Sequence, residues 1–136
     1  MTEIKRWFKL IENIDFAFQA ILNTQSSTVY GYEAILINYE KAGFYSKKNL
    51  YDIAYDENIL YQTDLILREK AIKKFFSIFS EKSHKLFYNL DIRIFNSPDY
   101  SKGNTKKILE KYNISNDLFC FQISENQDFK NKFNLN

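Results

Sequence analysis

The sequence has little of what stabilises secreted or membrane proteins: it contains one cysteine, one proline and three glycines. Because Cys120 stands alone, no disulfide can form within the chain, and its apolar neighbours predict a buried core thiol in a cytoplasmic protein. No apolar run approaches the ~20 residues that cross a bilayer, and residues 1–7 lack the apolar core of a secretory signal. A net charge of +2 gives no basic footprint for nucleic acid. We therefore expect neither a membrane nor a nucleic acid as partner.

Aromatic side chains are abundant instead. Thirteen Phe and ten Tyr occur in 136 residues, and 45% of the residues are hydrophobic. This composition supplies a large core and argues against disorder. The length is typical of one domain, so residues 1–136 are predicted to fold together.

Apolar periodicity predicts one strand hairpin, followed by strands that alternate with helices. We predict strands at residues 16–22, 29–37, 86–90 and 118–123, and helices at 4–14, from about 50, at 60–79 and at 105–112. Ser46 or Asn49 can cap the second helix. Asp64 and Arg68 are four residues apart and are predicted to pair on the surface of the long helix. The alternation indicates an α/β fold with a parallel sheet under covering helices.

One carboxylate stands out within a predicted strand. Alternation along residues 29–37 places Glu33 on one face among small and apolar side chains. A carboxylate there is costly unless it meets a metal, a cation or hydrogen-bond donors. The alternative is an edge strand whose Glu faces water. The nearby acids Asp52, Asp56 and Glu57 show no metal-site spacing and are predicted as a solvated helix face.

Five segments in order resemble the EAL domains, which are cyclic di-GMP phosphodiesterases built on a modified (β/α)8 barrel. Residues 32–36 (YEAIL) resemble the signature E-A-L-L, and residues 18–22 (FQAIL) resemble the first-strand segment Y-Q-P-I-V. Residues 50–64 are similar to a helical region, residues 88–90 (YNL) to V-N-L-S, and residues 121–125 (FQISE) to E-I-T-E. The resemblance thus covers nearly the whole chain.

The resemblance implies roles for some residues of this sequence, and it also shows that other functional residues of the family are replaced here. Glu33 and Asn89 stand at metal-ligand positions, and Gln19 stands at a position that contacts the dinucleotide. Active members hydrolyse cyclic di-GMP with Mg²⁺ or Mn²⁺, but Gln122 replaces their third-ligand Glu, and a neutral amide weakens such a site. Ile37 replaces an Arg that grips a phosphate. We therefore interpret these positions as vestigial and expect no catalytic residue and no cofactor.

The family's second half has no counterpart in this sequence, which lacks the D-D-F-G-T-G loop and the catalytic lysine that accompanies it. The resemblance therefore implies only the N-terminal half of the barrel. About four strands are expected, the first of them antiparallel, with three or four helices. A half barrel has two open sheet edges and an uncovered interior, whether the chain is naturally short or trimmed. We expect a homo-oligomer or a protein partner to cover this surface.

Three functional hypotheses follow from these residues. The first is a truncated, catalytically inactive EAL-like domain that acts through protein–protein contact or self-association in cyclic di-GMP signalling. The second is a cyclic di-GMP phosphodiesterase or its N-terminal fragment, and it rests on Glu33 and Asn89. The third is a non-catalytic cyclic di-GMP receptor, which the retained Gln19 permits.

Overall fold

The computed structural model describes residues 2–123 as four strands and four α-helices. In chain order they are α1 (Glu3–Ile11), β1 (Asp15–Asn23), β2 (Thr28–Ile37), α2 (Lys47–Asp56), α3 (Leu60–Ile78), β3 (Leu86–Leu90), α4 (Asn104–Lys111) and β4 (Phe119–Ile123). Every predicted element is present, with ends that differ by a few residues. No helix in this part of the chain has the length and hydropathy that a bilayer span requires.

The strands form one sheet in the order β1-β2-β3-β4. β1 is antiparallel to β2, whereas β2, β3 and β4 run parallel. This confirms the predicted α/β fold with an antiparallel first strand. The hairpin between β1 and β2 is held by the Asn23 side chain, whose Oδ1 accepts hydrogen bonds from the backbone N–H groups of Gln25 and Ser26 at 3.0 and 3.2 Å. Such side-chain turns allow the chain to reverse within a few polar residues.

One face of the sheet carries the core. The side chains of Phe16, Leu36, Leu86 and Tyr88 point to this face and are at most 4% exposed. α3 packs over them, since even-numbered positions of β1, β2 and β3 alternate towards the same side. Ser46, one of the two predicted caps, accepts a hydrogen bond from the backbone N–H of Asn49 and starts α2. The core is therefore a layer of aromatic and aliphatic side chains between sheet and helices.

The predicted surface pairing of Asp64 with Arg68 is wrong. The two side chains do pair at i and i+4, but Asp64 is 0% and Arg68 3% exposed. α3 is covered on more than one side, because β3 lies beneath it and α4 beside it. A charge pattern on a helix cannot reveal that its polar stripe is covered by a neighbouring helix.

The opposite face of the sheet is open within residues 2–123. Apart from Gly31, every residue that alternates onto it is half-buried or exposed: Ala17, Gln19, Ile21, Glu33, Ile35, Ile37, Phe87, Asn89, Cys120 and Gln122. We call these residues the open face. Cys120 is half-buried there, so its predicted place in the core is wrong. In β4 the side chains on either side of it, Phe119 and Phe121, point towards the helices instead. The four predicted site residues, Gln19, Glu33, Asn89 and Gln122, all lie on the open face.

Candidate functional site

The strand register sets the four predicted site residues in neighbouring positions of the open face. Gln19 of β1 lies opposite Glu33 of β2, and Asn89 of β3 lies beside Gln122 of β4. Glu33 is in register with Phe87, which places Asn89 two residues further towards the carboxyl ends of the parallel strands. Sites on parallel sheets form at these ends. A single row of polar side chains thus crosses the sheet.

The centre of this row is a hydrogen bond between β2 and β3. The side-chain amide of Asn89 donates to Glu33 Oε1 at 2.9 Å, in a partly buried position. β2 has a strand neighbour on each side, so the alternative of an edge-strand Glu is wrong. An amide donor stabilises the carboxylate that the strand would otherwise leave uncompensated. Gln19 is exposed and Gln122 is half-buried, and neither side chain makes a hydrogen bond within residues 2–123.

A buried polar network lies directly beneath Asn89, on the helix side of β3. The Tyr88 hydroxyl donates to Asp64 Oδ1 at 2.9 Å, and the Arg68 guanidinium contacts Asp64 and donates to Thr105 Oγ1 at 2.8 Å. Burial raises the pKa of Asp64, against the opposing effect of Arg68. Burial also raises the pKa of Tyr88 well above its usual value, so the phenol stays protonated as a donor. The network joins β3 to α3 and α4, and holds the strand that carries Asn89.

The ammonium group of Lys47 interacts electrostatically with Glu33 of the row. Lys47 is half-buried at the first position of α2, with Nζ 5.9 Å from the centroid of the Tyr51 ring. Burial lowers the pKa of Lys47, while the negative charges of Glu33, Asp64 and Asp91 raise it. No motif marks Lys47 in the sequence, because its approach to these acids depends on the path of the loop that follows β2. It therefore balances part of the negative charge around the row.

Arg93 lies at the end of the sheet where the parallel strands have their carboxyl ends. It follows β3 and donates from Nε and Nη2 to Asp91, at 2.8–3.2 Å, while Nη1 lies 2.9 Å from Asp52 of α2. The hydrogen bonds that Arg93 donates to Asp91, together with the charges of both acids, raise the pKa of Arg93 above its usual value. Asp52 also pairs with Lys48, and the hydrogen bond from Lys48 lowers its pKa. The sequence predicts Asp52 on a solvated helix face, but its ion pair with Arg93 joins α2 to the segment that follows β3.

The donors of the row do not fit a hard divalent cation. Mg²⁺ and Mn²⁺ favour several carboxylate oxygens, whereas the row offers one carboxylate, Glu33, and the amides of Asn89 and Gln122. The Asn89 nitrogen points at Glu33, and the Lys47 ammonium adds like charge near a would-be cation. Within residues 2–123, no group of three His, Cys, Asp or Glu side chains is arranged to hold a metal. The row is suited to hydrogen bonding rather than to metal chelation.

Gly31 lies on the same side of the sheet as the open face but is buried, and its missing side chain leaves space for an aromatic stack. A Cβ built on Gly31 would lie 2.6 Å from Cε2 of Phe87 and 3.0 Å from the carbonyl oxygen of Lys85. The Phe87 ring stacks on Tyr30 with centroids 5.6 Å apart. We expect Gly31→Ala to lower the free energy of unfolding by about 1–3 kcal/mol, because ring and backbone must shift to accept the methyl group. Urea titration followed by tyrosine fluorescence measures this change.

The control for this prediction removes the ring. In a Phe87→Ala background, Gly31→Ala is expected to cost clearly less, since only the Lys85 carbonyl still opposes the methyl group. Equal costs in the two backgrounds would show that steric conflict with Phe87 is not the cause.

Comparison with solved structures identifies the fold. The chain is similar to the EAL domain of Xanthomonas citri FimX, a c-di-GMP complex, with a TM-score of 0.65 and 18% identity over 96% of this chain and 53% of that chain. It is also similar to Klebsiella pneumoniae BlrP1, a calcium and cyclic di-GMP complex, with a TM-score of 0.64 and 22% identity over 82% and 27% of the respective chains. For a standalone EAL protein from Vibrio cholerae in its c-di-GMP bound form, the TM-score is 0.52, with 22% identity over 86% and 48%.

These likenesses show that the chain has the fold of part of an EAL domain. It spans between 27% and 53% of the length of the three structures it matches. No protein-family model and no curated protein matches the sequence. Of the five resemblances noted in the sequence, the fifth extends to Ser124 and Glu125, which lie outside the described residues. The fold supports the predicted lineage, while the chemistry of the site has to be inferred from its own residues.

Proposed function

We propose that residues 1–136 form one EAL-like domain of partial length that is catalytically inactive. It acts in the cytoplasm of a bacterium, by contact with another protein or with a second copy, in signalling that uses cyclic di-GMP. The observation that carries this proposal is the composition of the polar row. Glu33 is its one carboxylate and is already engaged by Asn89, and Gln122 occupies the position where the resemblance implies a second acid.

The open face supports the proposed contact with another protein or with a second copy. Ile35, Ile37 and Phe87 leave part of their apolar surface accessible there, next to the polar row. β1 and β4 have no strand partner on their outer sides within residues 2–123. Apolar faces and unpaired edges of this kind favour association with another chain. A partner that adds a layer to the open face would bury Glu33 and Asn89 as an already paired unit.

A phosphodiesterase assay tests the inactive state. We expect the purified chain with Mn²⁺ or Mg²⁺ to release no linear dinucleotide from cyclic di-GMP above the rate without protein. Gln122→Glu is expected to bind Mn²⁺ on the order of tenfold tighter, because charge count governs the affinity of such sites. Paramagnetic resonance of Mn²⁺ measures that affinity. The same variant is expected to stay inactive, since the family's lysine and D-D-F-G-T-G loop are absent from the sequence.

Two controls keep this test informative. An active EAL phosphodiesterase assayed in parallel confirms substrate and metal, and Glu33→Gln in the Gln122→Glu background is expected to abolish the gained Mn²⁺ affinity. Ordinary turnover by the unmodified chain would overturn the proposal in favour of a phosphodiesterase.

A non-catalytic receptor for cyclic di-GMP is the second candidate. Gln19 is exposed beside Glu33, and the FimX and Vibrio cholerae structures of like fold are c-di-GMP complexes. Titration calorimetry with cyclic di-GMP separates the two: heat of binding that disappears in Gln19→Ala would support a receptor. An absence of heat at millimolar cyclic di-GMP would exclude the receptor hypothesis, because a receptor must bind its ligand at lower concentrations.

A further inference from the structure

We propose that the partner of this chain includes a second copy of itself, whose acidic helix end enters a basic groove on the helical side. The basic groove lies between α3 and α4 and is formed by Leu65, Ile66, Lys70, Lys73, Lys107 and Ile108. The acidic end is the last turn of α2, with Ile53, Asp56 and Glu57. This contact specifies the self-association named in the proposed function and rests on it, but it lies away from the polar row.

The groove has the shape and the floor of a docking site for a short helical turn. Its volume is about 490 Å³, and the floor consists of Leu65, Ile66 and Ile108. Ile66 is 39% exposed although it lies in the middle of the longest helix. Positions 66, 70 and 73 recur at helical spacing, so Ile66 lies on the same face of α3 as Lys70 and Lys73, which form one wall. An apolar floor between charged walls fits one or two apolar side chains of a partner.

Within residues 2–123, no lysine of the groove forms an ion pair with a carboxylate, although the charge of Lys70 also acts on Asp15. Lys73 and Lys107 make no side-chain hydrogen bond or ion pair within residues 2–123, and Lys70 donates only to the carbonyl oxygen of Glu12, at 2.6 Å. The acid that lines the same groove, Glu69, is already engaged by the ammonium of Lys111 and the hydroxyl of Tyr112, both at 3.1 Å. The groove therefore keeps an uncompensated positive charge.

The acidic end of α2 has the opposite imbalance. A helix C-terminus carries a partial negative charge and is stabilised by basic residues, but the last turn of α2 has none. Instead α2 ends at Asp56 with Glu57 as its cap, and both side chains are exposed without an ion pair in the described part of the chain. Ile53, one turn earlier, is 37% exposed. This helix end would be stabilised by cations from outside its own chain.

The two surfaces complement each other in charge and in apolar content. The three lysines can surround two carboxylates and a helix C-terminus, while Ile53 meets the apolar floor. No aromatic side chain lines the groove, so it lacks the stacking platform with which proteins bind single-stranded nucleic acid. The contact joins two different surfaces, so copies associate head to tail unless two such contacts close a dimer.

Charge reversal and its rescue test this contact. Light scattering on the full chain gives the mass across a concentration series, at about 0.05 M and about 0.5 M salt. We expect association at low salt that weakens at high salt, and an apparent Kd at least about tenfold higher in Lys73→Glu and in Asp56→Lys, because like charges then face each other. The combined Lys73→Glu and Asp56→Lys variant is expected to regain association, since the pair is restored with reversed signs.

Lys41→Glu is the matched control, because it makes the same charge change on an exposed loop residue. It should leave the mass curve unchanged. A monomer at every concentration, or a combined variant that associates no better than the two single ones, would overturn the contact. Association that survives both single reversals would also overturn it, while the proposed function would stand through another surface. Turnover of cyclic di-GMP, by contrast, would overturn the proposed function whatever the mass.

Discussion

Arg68→Ala is expected to lower the free energy of unfolding by about 3–5 kcal/mol, because it leaves the buried Asp64 carboxylate without its ion-pair partner. Asp64 is fully buried, and its remaining side-chain donor is the Tyr88 hydroxyl at 2.9 Å. The same change removes the hydrogen bond to Thr105 and the stacking of the guanidinium over Phe121, 5.0 Å from the ring centroid. Chemical denaturation at neutral pH, followed by circular dichroism, measures the loss.

Lys48→Ala provides the matched control. Lys48 and Asp52 also pair at i and i+4, but the Lys48 side chain is 77% exposed. Loss of that pair is expected to cost about 0.3–0.5 kcal/mol, since water screens exposed charges. If Arg68→Ala and Lys48→Ala lowered the free energy of unfolding equally, burial would not be what makes the Asp64–Arg68 pair important.

Replacing both buried partners separates charge burial from packing. The combined Asp64→Leu and Arg68→Leu variant is expected to be clearly more stable than Arg68→Ala, because no unpaired charge remains in the interior. If the double variant were as unstable as the single one, the cost would come from lost packing. The buried pair supports β3 from below, so loosening it is also expected to disturb the position of Asn89 above.

Phe75→Ala is expected to lower the free energy of unfolding by about 3–5 kcal/mol, since it opens a cavity that the surrounding rings cannot fill. Phe75 of α3 is 0% exposed and lies at the centre of an aromatic cluster. Its ring centroid is 5.1 Å from that of Phe18, 5.6 Å from Tyr32 and 4.7 Å from Phe79. The cluster joins α3 to β1 and β2, so its loss weakens the covered face of the sheet. Thermal and urea denaturation report the change.

Ile78→Ala is the control on the same helix, one turn further along. Ile78 is 57% exposed, so its truncation is expected to change stability by no more than about 0.5 kcal/mol. A small effect at Phe75 would show that the neighbouring rings relax into the cavity. Stability would then depend less on this cluster than the contacts indicate.

Much of the fold and of the polar row was predictable from local pattern. Alternation placed Glu33 on one face of its strand among small and apolar side chains, because side-chain direction within a strand depends only on parity. The Ser46 cap and the hairpin after β1 are likewise local, since they involve residues only a few positions apart. The ordered EAL-like segments added the expectation of about four strands, the first of them antiparallel, and the structure confirms it.

The sequence by itself determined the element types, the antiparallel first strand and which neighbours Glu33 has on its own strand face, because these depend on short-range geometry and periodicity. Only the tertiary structure decided that Glu33 meets Asn89 across two strands, that Asp64 and Arg68 are buried, and that a basic groove lies between α3 and α4. Those features depend on how the strands pair and on which helix covers which surface. Helix packing is set by side chains distant in sequence, and no local pattern records it.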